Sequence, residues 1–363
     1  MFAPLSPRSR LSAGIALTLA AALTLSACAD ANPASSPTSP SPTTSTSSPT
    51  AQRAAAYLFS QLKTGDHVEG KYGPDLGQTS DVALGLAATT GQDSALAKVL
   101  TYLGSNASGY VHGDPASGEK AGANYAGSTG KLALVAQISG KNPASFGGLD
   151  LIGELRELMD SEGRFRDDSK FGDFSNPLGQ AFAILALQRA EPGGAPQSAI
   201  DYLVTAQCAD GGFADAYPKA GTKCSASPDA TGLALQALVA AGADCPAVQA
   251  RSWLTAQRRA DGSFSSSAVA PSQPGAGNVN STAYAALGLA TAGESTSTVV
   301  SYLASVQNPD GGLAIEPGSK DKTSNVLATA QALSALAGSS FLTIGPSPIA
   351  PAAPVCPQAT PST

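Results

Sequence analysis

Apolar residues in this chain fall into two alternating kinds of segment. One kind is amphipathic and carries an aromatic–leucine pair: Tyr202-Leu203, Trp253-Leu254 and Tyr302-Leu303. The other is rich in Ala and Leu and nearly free of charge, as at residues 231–241 and 282–292. Asp210, Asp261 and Asp310, each followed by Gly, stand eight residues beyond the aromatic, since 210−202, 261−253 and 310−302 agree. Three residues further lie Phe213, Phe264 and Leu313. Asp229, Asn280 and Asn325 then open the uncharged segments, which stop 13 residues later at Gly242, Gly293 and Gly338. Two fixed spacings joined by a variable connection predict helix, turn, helix, repeated.

Fainter copies precede these. Tyr57-Leu58 and Tyr102-Leu103 head two units whose apolar segments stop at Gly91 and Gly140. A third unit runs through residues 149–159, Glu162-Gly163-Arg164-Phe165, Asn176 and residues 180–190, and closes on Glu191-Pro192-Gly193. About six helix pairs fit at this period, and no alternating β-branched run argues for a sheet. Within a unit the Asx residue is a natural N-cap and the closing Gly a natural C′ residue. A Gln at the end of the first helix is placed to bond carbonyls that its last turn leaves open. The uncharged second helices are expected to form a buried inner ring, and the aromatic-bearing helices an outer one.

The ends differ from this pattern. Arg8 and Arg10 precede an apolar run at 11–23, and Leu25-Ser26-Ala27-Cys28 follows. That order reads as an export leader ending in a bacterial lipobox, with Cys28 acylated as the mature N-terminus. The expected organisation is therefore a leader at 1–27, a Pro/Ser/Thr-rich tether at 28–50, a repeat domain at 51–342 and a Pro-rich tail at 343–363. Export and anchoring to the outer face of the cell membrane through lipid on Cys28 follow. Net charge is −6 with no basic stripe, which excludes nucleic acid as an expected partner. Four Cys remain in an exported chain. Cys208 and Cys224 bracket one loop, which leaves Cys245 for Cys356, and both pairs are read as disulfides. With no CxxC and only His67 and His112, both read as exposed loop residues, no metal site is expected.

Gln207-Cys-Ala-Asp-Gly-Gly-Phe213 and Gln307-Asn-Pro-Asp-Gly-Gly-Leu313 resemble the glutamine–aromatic turns of the prenyltransferase/squalene-cyclase type repeat; Gln257 lies one residue further from its Asp. The resemblance implies an all-α fold, an (α/α)6 toroid with a central cavity at one end. It also offers three kinds of activity. Protein prenyltransferases hold zinc through Asp, Cys and His, which this chain does not supply. Class II terpene cyclases protonate an alkene with the middle Asp of Asp-x-Asp-Asp-Thr; Ser227-Pro228-Asp229-Ala230-Thr231 keeps only that Asp and the Thr. The third kind binds ligands without turnover and includes exported vitamin-B12 carriers.

These lines together lead to a monomeric surface lipoprotein that needs no cofactor and binds a partly apolar molecule, an isoprenoid or a corrinoid, in the toroid mouth. The alternative is an atypical terpene cyclase or prenyltransferase-type enzyme with Asp229 as its acid. Inner helices that start at one end would point their N-termini at a common mouth, favouring acidic or phosphate groups. Gln78, Asn176, Asp229, Asn280 and Asn325 mark those starts. Tyr125, Phe174 and Tyr217 lie in the long connections and are the expected aromatic cover. Asp167, Asp168 and Asp173 read as a solvated acidic loop. Replacing Cys28 with Ser is expected to release the protein or leave it unprocessed. Mass spectrometry of the mature N-terminus checks this, and membrane retention without an acyl chain would refute it.

Overall fold

The computed structural model describes residues 47–190, 193–266 and 277–357. The leader, Cys28, the tether up to residue 46, the Glu191-Pro192 pair, residues 267–276 and residues 358–363 lie outside the described residues. Within them the chain alternates outer and inner helices. The outer set is α1 (Pro49–Gln61), α3 (Asp93–Ser105), α6 (Leu151–Leu158), α8 (Gln197–Val204), α10 (Asp244–Gln257) and α12 (Ser297–Ser305). The inner set is α2 (Leu76–Ala87), α5 (Ala126–Ile138), α7 (Pro177–Gln188), α9 (Pro228–Ala240), α11 (Val279–Thr291) and α13 (Val326–Leu336). A short α4 (Ala107–Val111) interrupts the second connection.

Each inner helix packs on the next, and α13 returns to α2, so the ring closes. Each outer helix lies on the inner helix before it, with α1 on α13. Inner helices are buried on nearly every face, which is why their segments carry so little charge. Small residues let them approach: a Cβ on Gly232 of α9 would lie 2.2 Å from the Tyr284 carbonyl oxygen of α11. The fold is thus an α/α toroid.

The expected N-caps need correction. The caps are Asn176, Ser227, Asn278 and Asn325, so Asp229 and Asn280 sit two residues inside their helices. Gln78 likewise follows the true cap Asp75, and α5 is preceded by Tyr125. The steps are 51, 51 and 47 residues (227−176, 278−227, 325−278). The last inner helix has 11 residues where α9 and α11 have 13, so counting back from its terminal Gly lands at a different place.

The true register shows itself in a buried hydroxyl four residues after the cap. Thr231 Oγ1 donates to Ser227 O (2.6 Å) and accepts from Phe213 N (2.8 Å). Thr282 does the same with Asn278 O (2.6 Å) and Phe264 N (3.0 Å), and Thr329 with Asn325 O (2.7 Å) and Leu313 N (2.8 Å). Thr79 serves the first repeat through Asp75 O and Val68 N. The third repeat places Gln180 there, whose Oε1 accepts from Phe165 N at 3.0 Å. Phe165, Phe213, Phe264 and Leu313 are fully buried behind these bonds.

The outer-helix glutamines also act differently from expectation. Gln207 Nε2 donates to Gly211 O of its own turn (2.9 Å) and to Pro246 O of α10 (3.0 Å). Gln307 Nε2 bonds Gly311 O (2.8 Å) and Thr50 O of α1 (3.0 Å), a link that joins the last repeat to the first. They join neighbouring repeats and leave their own last turn to other partners.

Two further readings change. His67 is buried, stacked on Tyr102 with ring centroids 4.1 Å apart, between Asp66 and Glu69. His112 is half-buried and meets Glu154 at 3.0 Å. Short strands also occur: β1 (Leu62–Lys63), β2 (His67–Gly70) and β3 (Gly73–Pro74) pair in the first connection, and β4 (Phe213–Ala214) with β5 (Ala226–Ser227) in the fourth. They are extended entries to inner helices, too short for an alternating pattern.

The chain after α13 covers the end where inner helices finish. Arg189 donates to the carbonyls of Phe341, Leu342 (3.0 Å each) and Ile344 (2.7 Å), and Gln236 Oε1 accepts from Phe341 N (2.9 Å). The Phe341 ring reaches the axis, 6.2 Å from Phe182 and 6.4 Å from Tyr284. Disulfides join Cys208 to Cys224 across one connection and Cys245 to Cys356, fixing the tail to α10.

Thr282→Val keeps shape but leaves the buried Phe264 amide without its acceptor. Chemical denaturation should show a loss of about 1–3 kcal/mol, and an unchanged midpoint would show the hydroxyl to be dispensable.

Candidate functional site

Opposite the covered end, the inner helices begin around a mouth that is open off the axis. A recess of about 490 Å³ lies among Tyr72, Asp75, Tyr110, Tyr125 and Ser128. A second, of about 290 Å³, continues from Tyr110, Tyr125 and Ser128 to Lys131, Asp167, Phe174, Asn176 and Phe182. Shared walls make them one groove across α2, α5 and α7. Tyr72 is 92% exposed and Phe174 62%, values that set them apart from aromatics packed on their own loops.

Tyr125 is held in place. Its hydroxyl donates to the Glu119 carboxylate, which also accepts from Ser169 Oγ (2.6 Å), Lys120 N (2.7 Å) and Lys170 N (3.0 Å). Burial opposes the charge on Glu119, but these donors hold its pKa down at about 2. The neighbouring loop is tied by Asp167, which accepts from Ala126 N (2.9 Å) and Phe174 N (3.2 Å), while Asp173 pairs with Arg164 and Arg166. Burial raises the Asp167 pKa against those two amides. Asp168 pairs with Lys120, so this loop is a set of partnered carboxylates; no cluster of metal-ligand type occurs among the described residues.

Six residues after each cap, one side chain per inner helix faces the axis: Asp81, Lys131, Phe182, Leu233, Tyr284 and Gln331. Lys131 Nζ meets Asp81 Oδ2 at 2.7 Å and lies 5.8 Å from the Phe182 ring centroid. Asn280 Nδ2 donates to Gln331 Oε1 at 2.6 Å. Burial works against the Lys131 ammonium, yet Asp81 and its neighbours outweigh it and keep the pKa above the ordinary value. Burial raises the Asp81 carboxyl, with Lys131 opposing. The space left among Asp81, Tyr284, Gln331 and Phe341 is about 10 Å³, at the limit for a single water. The resemblance implied a central cavity at one end; on the axis itself, Phe341 and this polar ring leave only that small space.

The sequence-based candidates scatter accordingly. Tyr125, Phe174 and Asn176 line the groove. Gln78 bonds its own cap, Asp75, at 2.8 Å. Asn325 borders a separate recess beside Asp321. Tyr217 packs edge-on against Tyr202 (4.9 Å) with Arg164 over its ring. Asp229 lies between α9 and α11 near Ser281, and neither Asp229 Oδ1 nor Ser281 Oγ makes a hydrogen bond among the described residues. Burial pushes the Asp229 pKa up to about 6; the Ser281 hydroxyl opposes this and the Asp215 carboxylate adds to it. Tyr110, Asp81, Lys131, Phe182 and Gln331 escaped sequence reasoning, although a constant distance of six from each true cap marks most of them.

The geometry defines a closed α/α toroid with a groove at one end of its inner ring. Residues 178–346 match the family model described as prenyltransferase alpha-alpha toroid domain, in keeping with the toroid fold. No curated protein is recognisably similar to it in sequence. Among solved structures it is similar to the type II terpene cyclase MstE from Scytonema, a variant in complex with geranylgeranyl dihydroxybenzoate, at 16% identity, 80% of this chain, 96% of the other and a TM-score of 0.56. It is similar also to an unsaturated glucuronyl hydrolase specific for heparin, at 13% identity, 79% and 95% coverage and a TM-score of 0.55. These likenesses show the fold.

An Asp whose folded pKa lies near 6, above the ordinary 3.8, keeps its proton while the unfolded chain loses it. Stability therefore falls as pH rises from about 4 to 6, and the cost persists above. Asp229→Asn is expected to remove this slope and to gain up to about 3 kcal/mol on the wild type at pH 7. Denaturant titrations at pH 4 and pH 7 check it; parallel pH dependence of the two proteins would count against it.

Proposed function

We propose that this protein is an exported lipoprotein, anchored through Cys28, whose toroid holds a partly apolar small molecule in the groove at its mouth. The observation that carries the reading is the groove itself: aromatic side chains stand open to solvent at Tyr72 and Phe174 beside a filled axis. The ligand lies across the start of α2, α5 and α7, with an isoprenoid chain or the edge of a corrinoid on the aromatic walls. Two disulfides are compatible with export, and no described helix is long and apolar enough to cross a membrane. A prenyl-bearing substrate in the similar terpene cyclase supports the isoprenoid over the corrinoid. The toroid domain spans residues 51–342 in this reading, with the tail as a cover.

Native mass spectrometry of protein from its own membrane, with titration of isoprenoids and corrinoids, tests the proposal. Phe174→Ala, at an exposed position, should weaken binding roughly three- to tenfold, the equivalent of about 0.5–1.5 kcal/mol, without changing Tm. Absence of any bound or titrating ligand would refute the reading.

One feature favours catalysis instead: Asp229 is half-buried, and burial pushes its pKa up to about 6, so its carboxyl keeps its proton further toward neutral pH than an exposed Asp. An atypical cyclase would then turn over a prenyl substrate, and Asp229→Asn would cost on the order of 10²–10⁴ in rate. The binding reading expects no cyclised product from the wild type. A product that vanishes in Asp229→Asn would replace it.

A further inference from the structure

Tyr110 and Tyr125 are the two aromatics shared by both recesses of the groove. Tyr110 stands on α4, whereas Tyr125 ends the second connection, just before α5. The Tyr125 amide donates to Val111 O at 2.8 Å, and its ring is oriented through the hydroxyl. That hydroxyl donates to Glu119 and meets Ser169 Oγ at 3.0 Å. Glu119 is only 7% exposed and does not line either recess. Its carboxylate gathers donors from two connections. Lys120 N and the Tyr125 hydroxyl come from the second, Lys170 N and Ser169 Oγ from the third. Gly113 makes room for this arrangement, with φ of 72° and space for no Cβ: one would lie 3.1 Å from both Glu119 Cγ and Tyr125 Cε2. Phe174 has a separate support, since its amide donates to Asp167.

We propose, resting on the binding reading, that Glu119 is the positioning residue of the groove: from outside the lining it fixes the Tyr125 ring where the two recesses join, and so sets how tightly an apolar ligand is held. A ring whose hydroxyl is already anchored gives up little freedom when a ligand lands on its face, and that saving appears as affinity. The anchor is firm because a hydrogen bond to a carboxylate is stronger than one between neutral groups. Burial opposes the charge on Glu119, but its donors outweigh burial and hold the pKa at about 2, so the anchor stays ionised.

Equilibrium binding of farnesol to the full chain, read as a double-mutant cycle of Glu119→Gln and Tyr125→Phe, tests this. Gln keeps the size of the side chain and Phe keeps the ring, so each change removes little besides the charged anchor. Each single variant is expected to bind farnesol about three- to tenfold more weakly than the wild type, and the double variant no more weakly than either. A merely structural Glu119 would weaken binding as much in the Tyr125→Phe background as in the wild type. That additivity overturns the proposal, as does wild-type affinity in Glu119→Gln, and both results leave the binding reading standing. If the wild type binds no farnesol, the isoprenoid form of the binding reading fails and this inference falls with it. Should Glu119→Gln not fold, Ser169→Ala takes its place in the cycle, because it removes a partner of both Glu119 and Tyr125, and the same outcomes decide.

Discussion

The backbone amide that follows each turn enters the protein interior before any helix can receive it. In four repeats a threonine hydroxyl takes that amide and hands its own hydrogen to the cap carbonyl one turn back. Each bond spans two segments 11 to 18 residues apart in sequence, and an unpaired amide there would cost about 1–3 kcal/mol. The constraint sets where an outer helix stops, how the extended residues approach the ring and in which register the inner helix begins. Gln180 meets it in the third repeat and adds bonds to Gly163 O and Ala199 O, so one side chain there does what a Thr and an outer-helix Gln share elsewhere.

Because register is fixed at the cap, the sixth residue of every inner helix comes to the axis at one level. Asp81 and Lys131 are tolerable there only as a pair, closed off by Gln331 and Asn280 on one side and Phe182 on the other. Phe341 rises from the opposite end and occupies the remaining space. With the axis filled from both directions, the open space lies at the rim, where the connections after α4 and α6 bring Tyr125 and Phe174 to its walls. The groove therefore lies on the α2, α5 and α7 side of an otherwise regular ring.

The ring was readable in the sequence because its signals are local: the Asp-Gly turns, the uncharged segments and the closing glycines at Gly242, Gly293 and Gly338, all with positive φ. The cap register was harder to read. Asp229 and Asn280 are good capping residue types two positions inside their helices, and a last inner helix shorter by two made them look equivalent to Asn325. Of the site, Tyr125, Phe174 and Asn176 were reachable from connection length and residue type. Lys131 and Asp81 were not, since a lone charge in an apolar run carries no local sign of its partner 50 residues away.

The placement of the chain ends has a practical consequence. Ser47 and Ser48, the first described residues, bond Thr90 just beyond α2 and the carbonyl of Leu336, the last residue of α13. The tail from Ile344 to Cys356 lies on that same end, tied to Arg189 and Cys245. Both termini of the toroid thus leave from its covered end, and the groove has none beside it. A reporter protein, a bead or a sensor chip coupled close to Ser47 or to Pro357 would attach at the end away from the groove, so immobilised protein would present the groove to solution.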